Sequence, residues 1–164
     1  MSALFLFTAC LLGGTKMESK SSDIAGKENR SAVVEEAENT KITMTSGDVV
    51  NELEENARPE LAAKVPDMQD YDVIFLGYPI WWSDMPMAVY TFMESYDFQG
   101  KTIIPFCTSA GDVLTGRESS IIPEHAKGAK VLDGLGIEGK RAQQNPDSVK
   151  PEVQKWLAKL GFVK

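Results

Sequence analysis

Residues 71–82 read YDVIFLGYPIWW, and this stretch decides how the rest of the chain is interpreted. The apolar run at 73–76 is too short to cross a membrane and is typical of a strand buried on both faces of a parallel sheet. Large flat side chains follow Gly77, at the carboxyl end of that strand, where open α/β sheets bind their ligands. The stretch therefore predicts a central strand with a binding loop at its end. The residues of this loop are Tyr78, Pro79, Ile80, Trp81 and Trp82.

Composition narrows the class of protein. With 164 residues and 43% hydrophobic content, the chain can build one domain with a substantial core. The formal net charge of -7 argues against a nucleic-acid binder, because phosphate neutralisation requires clustered Lys and Arg. An acidic surface instead favours basic partner proteins.

Cysteine and histidine are scarce. Cys10 and Cys107 provide neither a disulfide framework nor a metal-ligand spacing. Because His125 is the only histidine, we predict no metal site and no histidine-based catalytic residues. Cys107 lies at a strand end and could be a nucleophile, but the apolar strand before it favours a buried structural thiol.

The first thirty residues allow two interpretations. Residues 3–14 are apolar and residues 15–31 resemble a solvated linker. In the first interpretation, residues 1–30 are a secretion-signal remnant plus linker, Cys10 carries a lipid tether, and a domain at 31–164 is exported or membrane-tethered. In the second, residues 4–8 form the first strand of a cytoplasmic protein, and residues 13–15 are what remains of a phosphate-binding turn.

The rest of the chain alternates between helical and strand patterns. Residues 31–38 are weakly helical, residues 41–45 alternate as a half-buried edge strand does, and a helix is predicted over residues 46–56. After Trp82, a helix capped by Ser83 or Asp84, with Pro86 in its first turn, carries an apolar stripe. The stripe consists of Val89, Phe92, Met93 and Tyr96.

Residues 101–107 form a second predicted buried strand, in which Pro105 removes one hydrogen-bond donor and so indicates a local bulge. A modest helix at 117–126, a short strand at 129–132, a Gly-rich turn and a final helix capped by Asp147 or Ser148 follow. This βα alternation predicts a parallel sheet with helices on both faces.

Small residues follow the second buried strand. They are Thr108, Ser109, Ala110, Gly111 and Asp112. Alone they would suit an ordinary polar loop. Beside the tryptophan loop of the neighbouring strand, they indicate a second wall of the same binding site.

Three segments carry a resemblance to a known family. The sequences EENARPEL at 54–61, DYDVIFLGYPIWWSDMPMAVYTFMESYDFQGKTIIPFCTSAG at 70–111 and WLAKLGF at 156–162 are similar to the bacterial flavodoxin-like family of small FMN proteins. The resemblance covers about residues 47–164. It implies a flavodoxin-like three-layer α/β fold with a doubly wound parallel sheet, in which the family's strand order is 2-1-3-4-5.

The resemblance also implies a function. Residues 78–82 would cover the isoalloxazine ring of FMN, and residues 108–112 would form the other flavin-facing loop. A flat apolar ring system needs an aromatic wall, and its polar edge needs backbone donors. The protein would then carry electrons to a redox partner protein, or pass hydride equivalents to a small acceptor such as a quinone.

One family feature is absent from the sequence. The family begins with a strand and a Ser/Thr-rich turn, usually containing Thr-Gly-Asn-Thr, that holds the FMN phosphate at a helix N-terminus. This chain has only Gly13-Gly14-Thr15 in that region, so either its N-terminal part, including the first strand, is lost or replaced, or phosphate binding is weak. An alternative function follows, in which the fold is a scaffold that has lost FMN binding and serves as an interaction module.

Overall fold

The computed structural model describes residues 3–7, 46–61, 63–111 and 118–163, with no side-chain detail for residues 3–7, 46–49, 118 and 119. The strands are β1 (Ala3–Phe7), β2 (Val73–Pro79), β3 (Thr102–Ser109), β4 (Lys130–Val131) and β5 (Leu135–Glu138). The helices are α1 (Ser46–Glu54), α2 (Met87–Ser95), α3 (Glu118–His125), α4 (Gly139–Gln144) and α5 (Pro146–Lys159), with a 3₁₀ turn at Met68–Asp70.

The five strands form one parallel sheet. β2 lies between β1 and β3, and both β4 and β5 pair with the far side of β3. Ala3 pairs with Val73 and Phe7 with Gly77, so the N-terminal apolar stretch supplies the first strand, as the second interpretation of this region predicts. The predicted buried strands at 73–76 and 101–107 are confirmed as β2 and β3.

Side chains of β2 alternate between two apolar layers. Ile74, Leu76 and Tyr78 belong to the larger cluster, which also holds the buried residues of α2 and α3. Val73 and Phe75 belong to the smaller cluster, which contains Trp156, Leu157 and Leu160 of α5. The period of two along the strand thus produces a helix layer on each face, and the predicted three-layer α/β fold is confirmed.

Pro105 lies opposite a break in the neighbouring strand. Its strand pairs with β2 in unbroken register, so the predicted local bulge does not lie on this side of β3. On the other side, Ile103 pairs with Val131 and Phe106 with Leu135, so residues 132–134 face only residues 104–105. The Ile103 carbonyl accepts from the Leu132 N–H, and alternation therefore directs the donor-less nitrogen of Pro105 toward this break. The irregularity that the proline imposes is therefore found in the neighbouring strand, between β4 and β5.

Three local predictions are corrected. The Gly-rich turn after residue 132 is in fact mostly strand β5 and helix α4, because Leu135 and Ile137 alternate along a ladder that tolerates Gly136 between them. Helix α2 begins at Met87, after Pro86, and neither Ser83 nor Asp84 caps it. Helix α5 begins at Pro146, where the fixed φ of proline suits the first helical position, one residue before the predicted caps.

Some predictions fall on residues that the structure does not describe. These are the helix at 31–38, the strand at 41–45, the lipid site Cys10, the turn remnant at 13–15 and Asp112. The domain division at residue 30 likewise stays a prediction. Among the described helices, none combines the length and apolar character that crossing a membrane requires.

Candidate functional site

The two predicted loops lie side by side at the carboxyl edge of the sheet. Pro79, the last residue of β2, pairs with Thr108 near the end of β3. One residue further, the Ile80 N–H donates to the Thr108 carbonyl at 2.8 Å. β1 ends at the same edge, since Phe7 pairs with Gly77. The ends of three adjacent parallel strands therefore meet where such sheets bind ligands.

The tryptophan loop closes as a tight turn. The Trp81 N–H donates to the Asp84 carbonyl at 2.8 Å, and the Asp84 N–H donates back to the Trp81 carbonyl at 2.9 Å. The central residues Trp82 and Ser83 have φ values of 51° and 65°. Positive φ at both central positions is the signature of a type I′ turn, which usually has Asn and Gly there. A tryptophan in this conformation is strained and persists only when its surroundings hold it.

The aromatic residues of this loop differ in what they can offer a ligand. Trp82 is 67% exposed, the largest exposure among the big apolar side chains that the structure describes. Trp81 and Ile80 are half-buried. Tyr78 is 3% exposed and belongs to the core, so it reaches this edge only through its main chain. Of the predicted loop residues, Trp82 is the one that presents a free aromatic face.

The second loop presents small polar groups. Thr108, Ala110 and Gly111 are exposed, and Ser109 is half-buried. The Ser109 hydroxyl is shielded from solvent, and no described group hydrogen-bonds to it. An unsatisfied hydroxyl is costly in a folded protein unless a ligand or water satisfies it. It lies at the strand end where the sequence predicts a flavin-facing loop.

A third wall of the site comes from β5, which sequence reasoning missed. Glu138 pairs with Ser109, and Gly139 follows at the start of α4. A Cβ atom at position 139 would lie 3.5 Å from the Ser109 carbonyl and 3.7 Å from the Thr108 Cβ. Both distances are ordinary van der Waals contacts, so α4 begins directly beside the second loop. The alternation of Leu135 with Ile137 is the sequence signal that could have located this strand.

Asp84 anchors the tryptophan turn instead of capping a helix. Its Oδ1 accepts from the Met85 N–H and from the Tyr90 hydroxyl, both at 2.7 Å. Tyr90 is a buried residue of α2. The carboxylate therefore ties the turn to a helix in the core, a role that sequence spacing alone does not reveal.

A charged cluster surrounds Tyr90. The Arg58 guanidinium carbon lies 5.2 Å from the centre of the Tyr90 ring, and the His125 ring meets that ring edge-on at 4.8 Å. Glu94 accepts from Arg58 Nε at 2.7 Å and Nη2 at 2.9 Å, while His125 Nδ1 lies 2.8 Å from Glu94 Oε1. The hydrogen bonds from Arg58 and His125 hold the pKa of Glu94 below its ordinary value, and the Glu94 carboxylate raises the pKa of Arg58.

Cys107 is 2% exposed and belongs to the core, which agrees with the prediction of a structural thiol. Among the residues that the structure describes, no group of three or more His, Cys, Asp or Glu side chains is arranged to hold a metal ion.

The family model named Flavodoxin matches residues 23–159, and the chain belongs to this family. A comparison with curated proteins gave no match. The family assignment confirms the resemblance seen in the three sequence segments.

Three solved structures are similar to this chain. A candidate flavoprotein from Bacteroides uniformis is 32% identical with a TM-score of 0.53, over 64% of this chain and 65% of that one. A second, from Bacteroides eggerthii, is 28% identical with a TM-score of 0.49, over 62% of this chain and 65% of that one. A Lactobacillus acidophilus flavoprotein in complex with FMN is 22% identical with a TM-score of 0.44, over 60% of this chain and 66% of that one. The chain thus spans about two-thirds of the length of each.

Proposed function

We propose that this protein binds FMN at the carboxyl edge of its sheet and acts in electron transfer or in the reduction of a small acceptor. The observation that carries the proposal is the exposed Trp82 in the loop after β2, a loop that the Ile80–Thr108 hydrogen bond joins to the second loop. Membership of the Flavodoxin family supports a flavin as the ligand.

The residues at this edge suit the ring system of FMN. Trp82 offers an aromatic face on which a flat ring can stack. No described group hydrogen-bonds to the Ser109 hydroxyl, and the polar edge of the ring would supply a partner for it. Gly111 is exposed and has open space where a side chain would lie, so the backbone of the second loop is accessible to a ligand. The site therefore combines an apolar wall with a few polar groups, as small-molecule sites usually do.

The phosphate would be held after the first strand. In the family, the turn after this strand holds the phosphate, and here β1 ends beside β2 at the same edge. Residues 8–15 follow it in the sequence and include Thr8, Gly13, Gly14 and Thr15. Backbone N–H groups of such residues can bind a phosphate without a Thr-Gly-Asn-Thr motif.

When bound, FMN supplies the redox chemistry, namely transfer of single electrons or of a hydride. The chain excludes water from one face of the ring with Trp82 and sets its electrostatic environment. A net charge of -7 disfavours additional negative charge on the ring, which lowers its reduction potential. The reducing equivalents would pass to a redox partner protein or to a quinone-like small molecule.

A second candidate function is that of an interaction scaffold without flavin. It is favoured by the absence of the family's phosphate-binding motif from the sequence. Losing several charge-assisted hydrogen bonds, each worth about 1.5–3 kcal/mol, could lower FMN affinity by several powers of ten.

Titration of the full chain with FMN and, in parallel, with riboflavin separates these functions. Quenching of FMN fluorescence by the protein, with a dissociation constant at micromolar levels or below and much weaker binding of riboflavin, would support ring and phosphate recognition together. Equal, weak binding of both would indicate a ring site without a phosphate anchor. Binding of neither would refute the redox proposal and favour the scaffold.

A further inference from the structure

Trp82 is connected to the core of the protein by one continuous set of contacts. The turn that carries it is closed by the paired main chains of Trp81 and Asp84. The Asp84 carboxylate accepts the Tyr90 hydroxyl, and Tyr90 is held in turn by the charged cluster of Arg58, Glu94 and His125. The set joins the loop after α1, helix α2 and the end of α3 to the tryptophan turn.

The turn needs such an anchor. Left-handed conformations at two consecutive residues with side chains cost free energy, and structures keep them only where surrounding contacts over-determine them. The two central side chains cannot provide those contacts, because Trp82 and Ser83 are both exposed. Asp84 can, because its main chain closes the turn and its carboxylate is fixed by two hydrogen bonds of 2.7 Å.

Tyr90 can hold Asp84 in place because its own position is fixed. It is 7% exposed, and Arg58 and His125 each contact its ring. Glu94 binds the guanidinium of Arg58 through both oxygens, so these two side chains have a defined geometry. The ionised Glu94 can only accept, so His125 Nδ1 donates to it.

We propose that Asp84 and Tyr90 are positioning residues that hold the turn carrying Trp82 in its observed conformation, and that the cluster of Arg58, Glu94 and His125 fixes Tyr90 for this purpose. The consequence for flavin binding rests on the proposed function. The consequence for the order of the turn does not, because it concerns the ligand-free protein.

The matched pair Tyr90→Phe and Tyr96→Phe tests the proposal. Both tyrosines belong to the α2 region. The Tyr90 hydroxyl donates to Asp84, and the Tyr96 hydroxyl accepts from the Val65 N–H. Only the first of these bonds reaches the turn. Each substitution removes one oxygen atom and preserves the ring, so both variants should remain folded.

The first readout is ¹⁹F NMR of the ligand-free full chain labelled with 5-fluorotryptophan, with resonances assigned from Trp→Phe variants. We expect Tyr90→Phe to move or broaden the Trp82 resonance and to leave the Trp156 resonance in place, whereas Tyr96→Phe changes neither. A Trp82 resonance identical in wild type and Tyr90→Phe would overturn the proposal. If Tyr90→Phe does not fold, Asp84→Ala, which removes the acceptor of both hydrogen bonds, must produce the same selective change.

The second readout is the dissociation constant for FMN. We expect about three- to tenfold weaker binding for Tyr90→Phe and less than twofold change for Tyr96→Phe. Equal affinity in wild type and Tyr90→Phe would contradict the link to the ligand. If wild type itself binds no FMN, the proposed function fails, and the ¹⁹F result still decides whether Asp84 and Tyr90 position Trp82.

Discussion

The indole Nε1 of Trp156 donates a hydrogen bond of 2.9 Å to the main-chain carbonyl of Asp133. That carbonyl belongs to the break between β4 and β5, opposite Pro105, where the ladder to β3 is interrupted. The same indole packs edge-on against Phe75, with ring centres 6.0 Å apart. Helix α5 thus satisfies a backbone group that the proline-induced irregularity leaves without a strand partner.

Replacing Trp156 with Phe should therefore lower the free energy of unfolding by about 1–3 kcal/mol, because a hydrogen bond and part of a packed ring are lost together. Lys159→Met is the matched control on the same helix. It removes the ion pair of Lys159 with Asp133, whose side chains are both largely exposed, and should leave the free energy of unfolding nearly unchanged. Urea unfolding of both variants measures the difference, and equal losses would contradict the assignment.

The Arg58–Glu94 pair should make stability depend on pH. Its hydrogen bonds lower the pKa of Glu94 from the ordinary value of 4.5, so the unfolded state binds a proton more readily than the folded state does. The contribution is therefore fully present above pH 4.5 and is lost as the pH falls through the depressed folded pKa. The pair is partly exposed, which keeps the contribution small and sensitive to salt.

Comparing wild type with Glu94→Gln in urea between pH 7 and pH 3 tests this dependence. Wild type should be more stable than Glu94→Gln at pH 7, and the difference in their free energies of unfolding should decrease toward pH 3. Glu60→Gln, at an exposed position, serves as the control and should show no such convergence. A gap that is constant over this pH range would rule out the pair as its source.

Ser83 offers a test of the strained turn. At a φ of 65°, glycine adopts the backbone conformation without a Cβ penalty, whereas a β-branched residue cannot adopt it easily. We expect Ser83→Gly to change the free energy of unfolding by less than about 1 kcal/mol in either direction, and Ser83→Val to destabilise by about 1–3 kcal/mol. Thermal unfolding distinguishes the variants, and a neutral Ser83→Val would show that the turn is not held in the left-handed region.

Cys107 should be protected from reagents. Because its thiol is buried in the core, labelling by a maleimide in a Cys10→Ser background should be at least about a hundred times slower in the native protein than in denaturant. Mass spectrometry of timed samples measures both rates. Comparable rates would reopen the hypothesis of a reactive cysteine.

The sequence predicted the elements whose signals are local. Apolar runs identified β2 and β3, and helical spacing identified the buried face of α2. β5 was missed because Gly134 and Gly136 read as a turn, and only pairing with β3 makes that segment a strand. Pairing also decided between the two interpretations of the N-terminal apolar stretch, because residues 3–7 form a strand beside β2.

The sequence predicted the two loops of the site, but it did not predict the side-chain contacts that hold the first loop in place. The position of both loops follows from the ends of two buried strands, which the sequence marks clearly. The contact between Asp84 and Tyr90 joins residues six apart across a helix start that was predicted too early. The cluster at Glu94 brings together three segments that are distant along the chain, and single-sequence patterns carry no signal for such contacts.

The most direct test of the account is a fluorescence titration of FMN into wild type, Trp82→Ala and Phe162→Leu. Phe162 is also an exposed aromatic residue, but it packs against Phe75 in the smaller apolar layer. Wild type and Phe162→Leu should bind FMN alike, and Trp82→Ala should bind it about tenfold or more weakly, since aromatic stacking contributes about 1–3 kcal/mol. Undiminished binding by Trp82→Ala would contradict a flavin site at this edge.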